Sequence, residues 1–523
     1  MTDSTPDDAR IQENVFAFLT DPVTHPHVKR IDTHAAAVFL DGDRALKIKR
    51  AVRFPFLDYS TLEKRKAACD EEIRINRPFA PLIYRRVVAI TQAENGTLAI
   101  DGNGRPIEFA VEMIRFDERQ TFDHLAASGP LDPGLVETTA EAIAASHTIA
   151  PRASAERWIA EIPEFIADNT RAFRAAGCFP AADIDRLDEA SRSAFSGIAG
   201  LLEQRGRQGL VRRCHGDLHL ANIVVIDRKP VLFDAIEFDP DIASVDLLYD
   251  LAFTLMDFIR YRRQAAANLL LNRYLQTGPV ENIDALRTLP LFMSLRAAIR
   301  AKVLIARLGQ EGCNAAEVTT SARAYFELAR QSISPPPPRL VAIGGLSGTG
   351  KSLAARALAA DIAPLPGAVV LRSDVLRKQQ FGVNETDRLP ASAYRTEITE
   401  RIYEILARRA VRILAQGHSA VVDAVFAREG ERTAMRDAAR KLNVDFVGLF
   451  LVADLATRQG RIGARERDAS DATPEIAGLQ ESYNLGTIDW TTIDASGTPE
   501  HTLKDCQNRI EHQIARLEPP QDR

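Results

Sequence analysis

The chain has 523 residues, 46% of them hydrophobic and 26% charged, and a formal net charge of -5. Such a length exceeds what one hydrophobic core organises and predicts roughly two to four domains, while the acidic balance argues against a general nucleic-acid binder, which needs a basic face. Five scattered cysteines make no C-x-x-C pair, so neither a zinc site nor a disulfide framework is expected, and no apolar run approaches the length of a membrane span; the expectation is a soluble cytoplasmic protein.

Residues 1–29 read as an N-terminal extension, a polar start followed by an amphipathic packing helix with Ile11, Val15, Phe18 and Leu19 at helical spacing. Two strand-like runs, Ala37–Leu40 and Ala45–Ile48, flank the hairpin turn Asp41-Gly42-Asp43-Arg44. Basic and apolar residues alternate in the second run, which puts Lys47 and Lys49 on one face, where an ammonium group can hold nucleotide phosphates. The segment Thr61–Asn76 is a charged helix capped by Ser60 or Thr61, and it carries Glu71 and Glu72, either of which can pair with a strand lysine. Further strand-like pieces at Val87–Thr91, Leu98–Ile100 and Phe109–Ile114 precede a region that is helical in pattern from Phe122 to Arg207. A small β-rich lobe is thus followed by a larger helical one.

The stretch Val211–Asp250 carries a chemical signal. His215–Asn222 reads HGDLHLAN, strands Ile223–Ile226 and Val231–Phe233 follow around a four-residue turn, and Asp234 ends the second strand. A carboxylate, an amide five residues later and a second carboxylate after a hairpin suit metal-assisted phosphoryl transfer. Asp217 would accept the proton of an acceptor hydroxyl, and Asn222 and Asp234 would ligate Mg2+. His219 is either a substrate contact or a packed side chain, and Asp246 and Asp250 lie further on.

On these motifs, residues 30–331 resemble the aminoglycoside phosphotransferase and choline kinase group of protein-kinase-like enzymes. The catalytic loop of that group, H-G-D-x-x-x-x-N, matches His215, Gly216, Asp217 and Asn222, and its metal-binding aspartate matches Asp234. The resemblance implies a bilobal protein-kinase-like α+β fold. It makes Lys47 the nucleotide lysine and Glu72 its helix partner, with Lys49 and Glu71 as the register-shifted alternatives. One departure is Thr33–Ala37, THAAA, where protein kinases carry a glycine-rich cover over the phosphates.

Phe253–Tyr274 and Leu289–Arg330 read as long helices that complete the helical lobe; Arg296, Arg300, Lys302 and Arg307 suit either a solvated face or an anionic ligand. Residues 332–338 hold four successive prolines, which stop a helix and form a semi-rigid spacer. The second domain is expected over 339–518, with 519–523 as a tail. Here strands and helices alternate as a parallel sheet requires. Between the strand Arg339–Ile343 and the helix Leu353–Ala360, Gly345–Ser352 reads GLSGTGKS, the phosphate loop G-x-x-x-x-G-K-[ST]. The backbone N–H groups from Gly345 through Leu346, Ser347, Gly348 and Thr349 to Gly350 would face the phosphates, Lys351 would neutralise them, and Ser352 would ligate Mg2+.

Three more strands, Val369–Leu371, Ala420–Val422 and Val447–Val452, lead into Arg372-Ser373-Asp374, into Asp423, and towards Arg458, Arg461, Arg465 and Arg467. The carboxyl ends of parallel strands lie beside the loop. Asp374 would therefore orient and deprotonate an acceptor hydroxyl, Asp423 would serve the metal directly or through its water, and the arginines would close as a lid on the transferring phosphate. This half resembles small-molecule and zeta-toxin-like phosphate-loop kinases, whose SD-x-x-R element matches Ser373, Asp374 and Arg377 and whose R-x-x-x-R lid matches Arg461 and Arg465. A three-layer α/β/α sheet of the P-loop NTPase class is implied. The combined expectation is two ATP sites, each passing the γ-phosphoryl group of Mg-ATP to a small-molecule hydroxyl, with no nucleic-acid or membrane partner. The alternative is an ATP-binding regulator in which one or both domains act as a switch; the presence of Asp217, Asn222 and Asp234 together favours catalysis.

Overall fold

The computed structural model describes residues 6–33, 35–54, 57–308, 314–464 and 468–517. By contacts the chain divides into two compact units, Met1–Asp168 with Phe195–Tyr261, and Asn169–Ala194 with Arg262–Arg523. Among the described residues no helix is long and apolar enough to cross a membrane.

The first unit is built on an antiparallel sheet of six strands in the spatial order Lys29–Asp32, Ala36–Asp41, Arg44–Lys49, Arg105–Ile114, Tyr84–Gln92 and Leu98–Ile100. The hairpin expected around Asp41 and Arg44 is present, those two residues being register partners. The helix Pro6–Leu19 lays Val15, Phe16 and Leu19 on this sheet, and the buried Gln12 donates to Lys49 O (2.9 Å) and Glu108 Oε2 (2.8 Å). Thr61 caps the helix Leu62–Asn76 by accepting from Lys64 N, and the buried Arg65 ties the same helix to Glu108 (2.9 Å). The long helical stretch read from Phe122 onward is four helices, Phe122–Ser128, Pro133–Ile149, Ala155–Ala176 and Ala181–Arg207, of which the part Asn169–Ala194 belongs to the second unit. A short pair of strands, Val211–Arg213 with Ser244–Asp246, brackets the loop at His215 and had no sequence signal.

In the second unit the strands run in the order Val369–Arg372, Ala420–Asp423, Arg339–Gly344, Asp445–Val452 and Thr491–Asp494, all parallel. The phosphate-loop strand is central, and Val341, Ile343, Leu358, Val421, Leu449 and Ile493 form the core between it and the helix Lys351–Asp361. The fifth strand, Thr491–Asp494, is an addition to the expected set.

Packing does not divide the chain at the proline run. The helix read across Phe253–Tyr274 is broken at Tyr261–Arg263, where Arg262 takes a φ of +58°, and the chain passes from one unit to the other at that break. The next helix, Gln264–Thr277, covers the edge strand of the parallel sheet. Asn272 Oδ1 accepts from Val370 N (2.7 Å), while Asn268 and Asn272 donate to Ala368 O (3.0 and 3.2 Å). These asparagines satisfy backbone groups that an open sheet edge would leave unpaired. Arg412 adds an ion pair to Asp284 (2.7 Å).

Candidate functional site

Lys47 and Lys49 leave the strand Arg44–Lys49 on the same side and meet the same glutamate. Lys47 Nζ donates to Glu72 Oε1 (2.9 Å) and Asp234 Oδ1 (2.5 Å). Lys49 Nζ pairs with Glu72 Oε2 (2.5 Å) and with Glu237, which also accepts from the Tyr59 hydroxyl (3.0 Å). Glu71 points elsewhere, to Arg74 (2.6 Å) and Arg213 (3.1 Å). Burial works against charge on Lys47, but the carboxylates of Asp234 and Glu72 outweigh it and hold the ammonium well above the ordinary lysine value. Enclosure likewise opposes the charge on Asp234, and Lys47 more than offsets it, so this carboxyl lies below its usual range.

Asp234 takes a φ of +61°, a sparsely populated conformation that its surroundings must enforce. Its N–H donates to the Tyr84 hydroxyl (3.1 Å), and Asn76 grips the next residue by both backbone groups, accepting from Ala235 N (2.7 Å) and donating to Ala235 O (3.2 Å). The HGDLHLAN loop is fixed in the same manner. Gly216 N donates to Asp250 Oδ1 (2.8 Å), whose other oxygen meets His147 Nε2 (3.1 Å). Leu220 N donates to Asp257 Oδ2 (3.1 Å), and the Thr254 hydroxyl to Leu218 O (2.7 Å). His215, pushed down in pKa by burial, donates Nε2–H to Phe233 O (2.8 Å) and so ties the loop to the hairpin that ends at Asp234. Asp250 is thus scaffold for the loop, and Asp246 is buried in a two-armed pair with Arg205 (2.6 and 2.8 Å).

Asn222 Nδ2 donates to Asp217 O (2.8 Å) and Oδ2 (3.3 Å), and His219 Nε2 stands 3.4 Å from the same Oδ2. With the amide nitrogen of Asn222 directed at Asp217, its oxygen is the atom it can offer a cation. Lys47, Asp217 and Asp234 face one cavity of about 390 Å³, whose other walls include Val38, Met113 and Phe233. In this cluster two ammonium groups oppose the carboxylates of Glu72, Glu237 and Asp234, with Asp217 beside them. An excess of negative charge and an all-oxygen donor set suit a hard divalent cation.

In the second unit the loop glycines have the backbone that the sequence implies. Gly345 and Gly348 take φ of +138° and +89°, and a Cβ on them would stand 2.4 Å from Leu451 O and 2.5 Å from Arg458 O. Lys351 Nζ donates to Leu346 O across the loop (3.0 Å). Gln480, which sequence reasoning missed, holds Ser347 by both ends: its Oε1 accepts from Ser347 N (2.8 Å) and its Nε2 donates to Oγ (3.0 Å). Arg458 is buried against the loop, pairs with Glu481 and lies 3.4 Å from Ser347 O. The Arg461 guanidinium donates to Ala495 O (2.7 Å) and Gly497 O (2.6 Å). Arg465 and Arg467 lie outside the described residues.

Ser352 and Asp423 converge on one guanidinium. Arg372 Nη2 donates to Ser352 Oγ (3.1 Å) and Asp468 Oδ1 (3.0 Å), and Nε to Asp423 Oδ2 (3.2 Å). Oxygens that share one cationic group can share a metal ion, so this donor pair also fits Mg2+. The Asp374 carboxyl is pushed up by burial and by the neighbouring Asp423 charge. Arg377 donates to Ala393 O (2.6 Å) and stacks on Tyr394, and the Tyr394 hydroxyl and Lys378 both reach Asp471 (2.6 and 2.8 Å). These contacts make a polar wall next to Asp374.

Residues 37–288 match the "Phosphotransferase enzyme family" and residues 340–482 match an "AAA domain" family. The first match runs past the packing break at Tyr261. The chain is 28% identical over 505 residues, 92% of its length, to uncharacterized proteins of Mycobacterium tuberculosis and Mycobacterium bovis, covering 95% of each. Among solved structures, a choline/ethanolamine kinase family protein from Mesorhizobium loti aligns with 62% of this chain and 99% of its own, at 13% identity and a TM-score of 0.36. A gluconokinase from Sinorhizobium meliloti 1021 aligns with 35% of this chain and 98% of its own, at 19% identity and a TM-score of 0.24.

Proposed function

With a phosphotransferase-family domain over residues 37–288 and a phosphate-loop AAA domain over residues 340–482 as the premise, we propose that each transfers the γ-phosphoryl group of ATP to a hydroxyl of a small molecule. The observation that carries the reading is the convergence of Lys47, Asp217 and Asp234 on one cavity, with Asn222 bonded to Asp217. The apolar walls at Val38, Met113 and Phe233 suit a nucleobase, and Lys47 suits the phosphates. Asn222 and Asp234 would hold Mg2+ here, and Ser352 and Asp423 in the second unit; the ion when bound neutralises charge on the phosphate oxygens.

In the first unit Asp217 accepts the proton of the acceptor hydroxyl as its oxygen bonds to the γ-phosphorus and the bond to the β-phosphate oxygen breaks, releasing ADP. In the second, the loop Gly345–Gly350 and Lys351 hold the phosphates, and Asp374 takes the acceptor proton. Its upward-shifted carboxyl is nearer in basicity to the hydroxyl it serves than an ordinary aspartate. Arg458 is the arginine set against the loop and supports it from the side of Ser347.

The test is ATP turnover and mass-spectrometric detection of phosphorylated products from a metabolite pool, with Lys351→Ala, Asp217→Ala and the double variant. Each single variant removes one set of products and the double removes both. If neither single variant lowers phosphate transfer, both catalytic assignments fail. If both units bind ATP and no metabolite gains a phosphate, the chain is a nucleotide-dependent regulator instead.

A further inference from the structure

Arg372 ends the edge strand Val369–Arg372 directly across the register from Asp423, which ends the neighbouring strand. Adjacent parallel strands bring such register partners side by side on one face. The guanidinium is almost wholly buried, at 9% side-chain exposure. Its donors go to three oxygens from three parts of the chain: Ser352 at the start of the helix after the phosphate loop, Asp423, and Asp468. Two of these are the oxygens that the reading above gives to Mg2+, and the third is not.

We propose that Arg372 and the divalent cation compete for Ser352 Oγ and the Asp423 carboxylate, so that metal–nucleotide binding displaces Arg372 from both and leaves it on Asp468. The inference rests on the phosphate-loop reading and adds a residue to it. A guanidinium and a metal ion bonded to the same two oxygens would bring two positive centres together at a buried site, and their repulsion there makes joint occupancy unfavourable. A buried guanidinium that lost every carboxylate would be an uncompensated charge, and Asp468 prevents that. Arg372 thereby keeps the two carboxylates neutralised without metal and makes metal occupancy depend on the phosphates arriving with it. The planar fork of arginine reaches three acceptors at once, which a lysine ammonium on its single stem does not match.

The test uses the full chain carrying Asp234→Asn, which weakens the metal site of the first unit, and reads Mn2+ binding from the resonance signal of the free ion. Without nucleotide, Arg372→Ala tightens Mn2+ binding by about tenfold or more, the loss of a competing cation being worth at least the 1.4 kcal/mol of one decade. Adding Asp423→Asn to Arg372→Ala reverses the gain. Asp468→Asn, which removes no buried cation, carries the test should Arg372→Ala not fold: it strips the displaced guanidinium of its remaining partner and weakens binding of Mn-ATP. Equal Mn2+ affinity with and without Arg372, or unchanged Mn-ATP binding in Asp468→Asn, overturns the proposal. The underlying reading is checked apart from it, because Lys351→Ala removes the second unit's share of Mn-ATP binding in this background if the loop binds nucleotide, whatever Arg372 does.

Discussion

Glu72→Gln separates the two arrangements that the strand lysines allowed. Glu72 is fully buried and bridges Lys47 and Lys49, so the substitution removes the charge on which both ammonium groups lean. Removing one partner of a buried pair costs about 3–5 kcal/mol. Two features reduce that figure here: glutamine still offers one oxygen, and Lys47 keeps Asp234 while Lys49 keeps Glu237. About 2–3 kcal/mol is then expected, which is a loss of about 30- to 160-fold at 1.36 kcal/mol per decade. The loss falls on ATP binding, because Lys47 faces the cavity and Glu72 sets its position. The assay is calorimetric ATP titration of the full chain carrying Lys351→Ala, with Glu71→Gln as the control. Glu71 pairs with Arg74, 61% exposed, and with Arg213, 17% exposed, neither of which faces the nucleotide cavity, and an exposed pair such as the first contributes about 1 kcal/mol or less. A larger loss in Glu71→Gln than in Glu72→Gln would refute the assignment, as would Glu72→Gln binding ATP like its parent.

Gly348→Ala places a Cβ 2.5 Å from Arg458 O at a φ of +89°, so the loop must deform; strain of about 1–3 kcal/mol predicts an ATP affinity of the second unit lowered about 5- to 150-fold in a Lys47→Ala background, read by nucleotide titration. Asp246→Ala leaves Arg205 buried without its carboxylate and costs about 3–5 kcal/mol, seen as an earlier urea transition of the first unit. His418 is buried, donates Nε2–H to Gly367 O (2.9 Å), and is held down to about 4 by its burial. The unfolded chain binds the proton at a higher pH than the folded one. The second unit therefore keeps this contribution above pH 6.5 and loses it as pH falls from 6.5 towards 4, by at most about 3 kcal/mol. His418→Gln flattens that limb in unfolding experiments, and an unchanged limb would count against the burial argument.

What the sequence made legible was chemistry that must be contiguous. A phosphate loop needs its glycines, lysine and serine in one run, and the loop at Asp217 needs its asparagine five residues on. Groups that meet only in space gave no such signal. Glu237 and Tyr59 come from separate segments, and Gln480 reaches Ser347 from 133 residues away. The choice between Lys47 and Lys49 looked like a question of register, yet the two oxygens of one glutamate serve both lysines. Arg461 has the spacing of a lid residue, but nearby backbone carbonyls at Ala495 and Gly497 take its guanidinium. The packing boundary was hidden for a similar reason. Asn268 and Asn272 belong to no motif, yet they satisfy the open edge of a sheet laid down about a hundred residues later.

Both units solve one electrostatic problem in the same way. The carboxylate expected at the metal is bonded to a cation of the chain itself, Asp234 to Lys47 and Asp423 to Arg372. A metal ion that takes the carboxylate would leave that side chain as a buried unpaired charge, which is strongly unfavourable. Each cation, however, has a second carboxylate that is not a metal ligand in this reading: Glu72 for Lys47 and Asp468 for Arg372. It follows that Glu72→Gln and Asp468→Asn, neither of which removes a metal ligand, should both weaken metal–nucleotide binding. Both should do so more than they weaken binding of nucleotide alone, because only the metal forces the cation onto its second partner. The comparison of ATP affinity with and without Mg2+ in the two variants checks this, and a loss independent of Mg2+ in either would assign that carboxylate to positioning its cation for the phosphates alone.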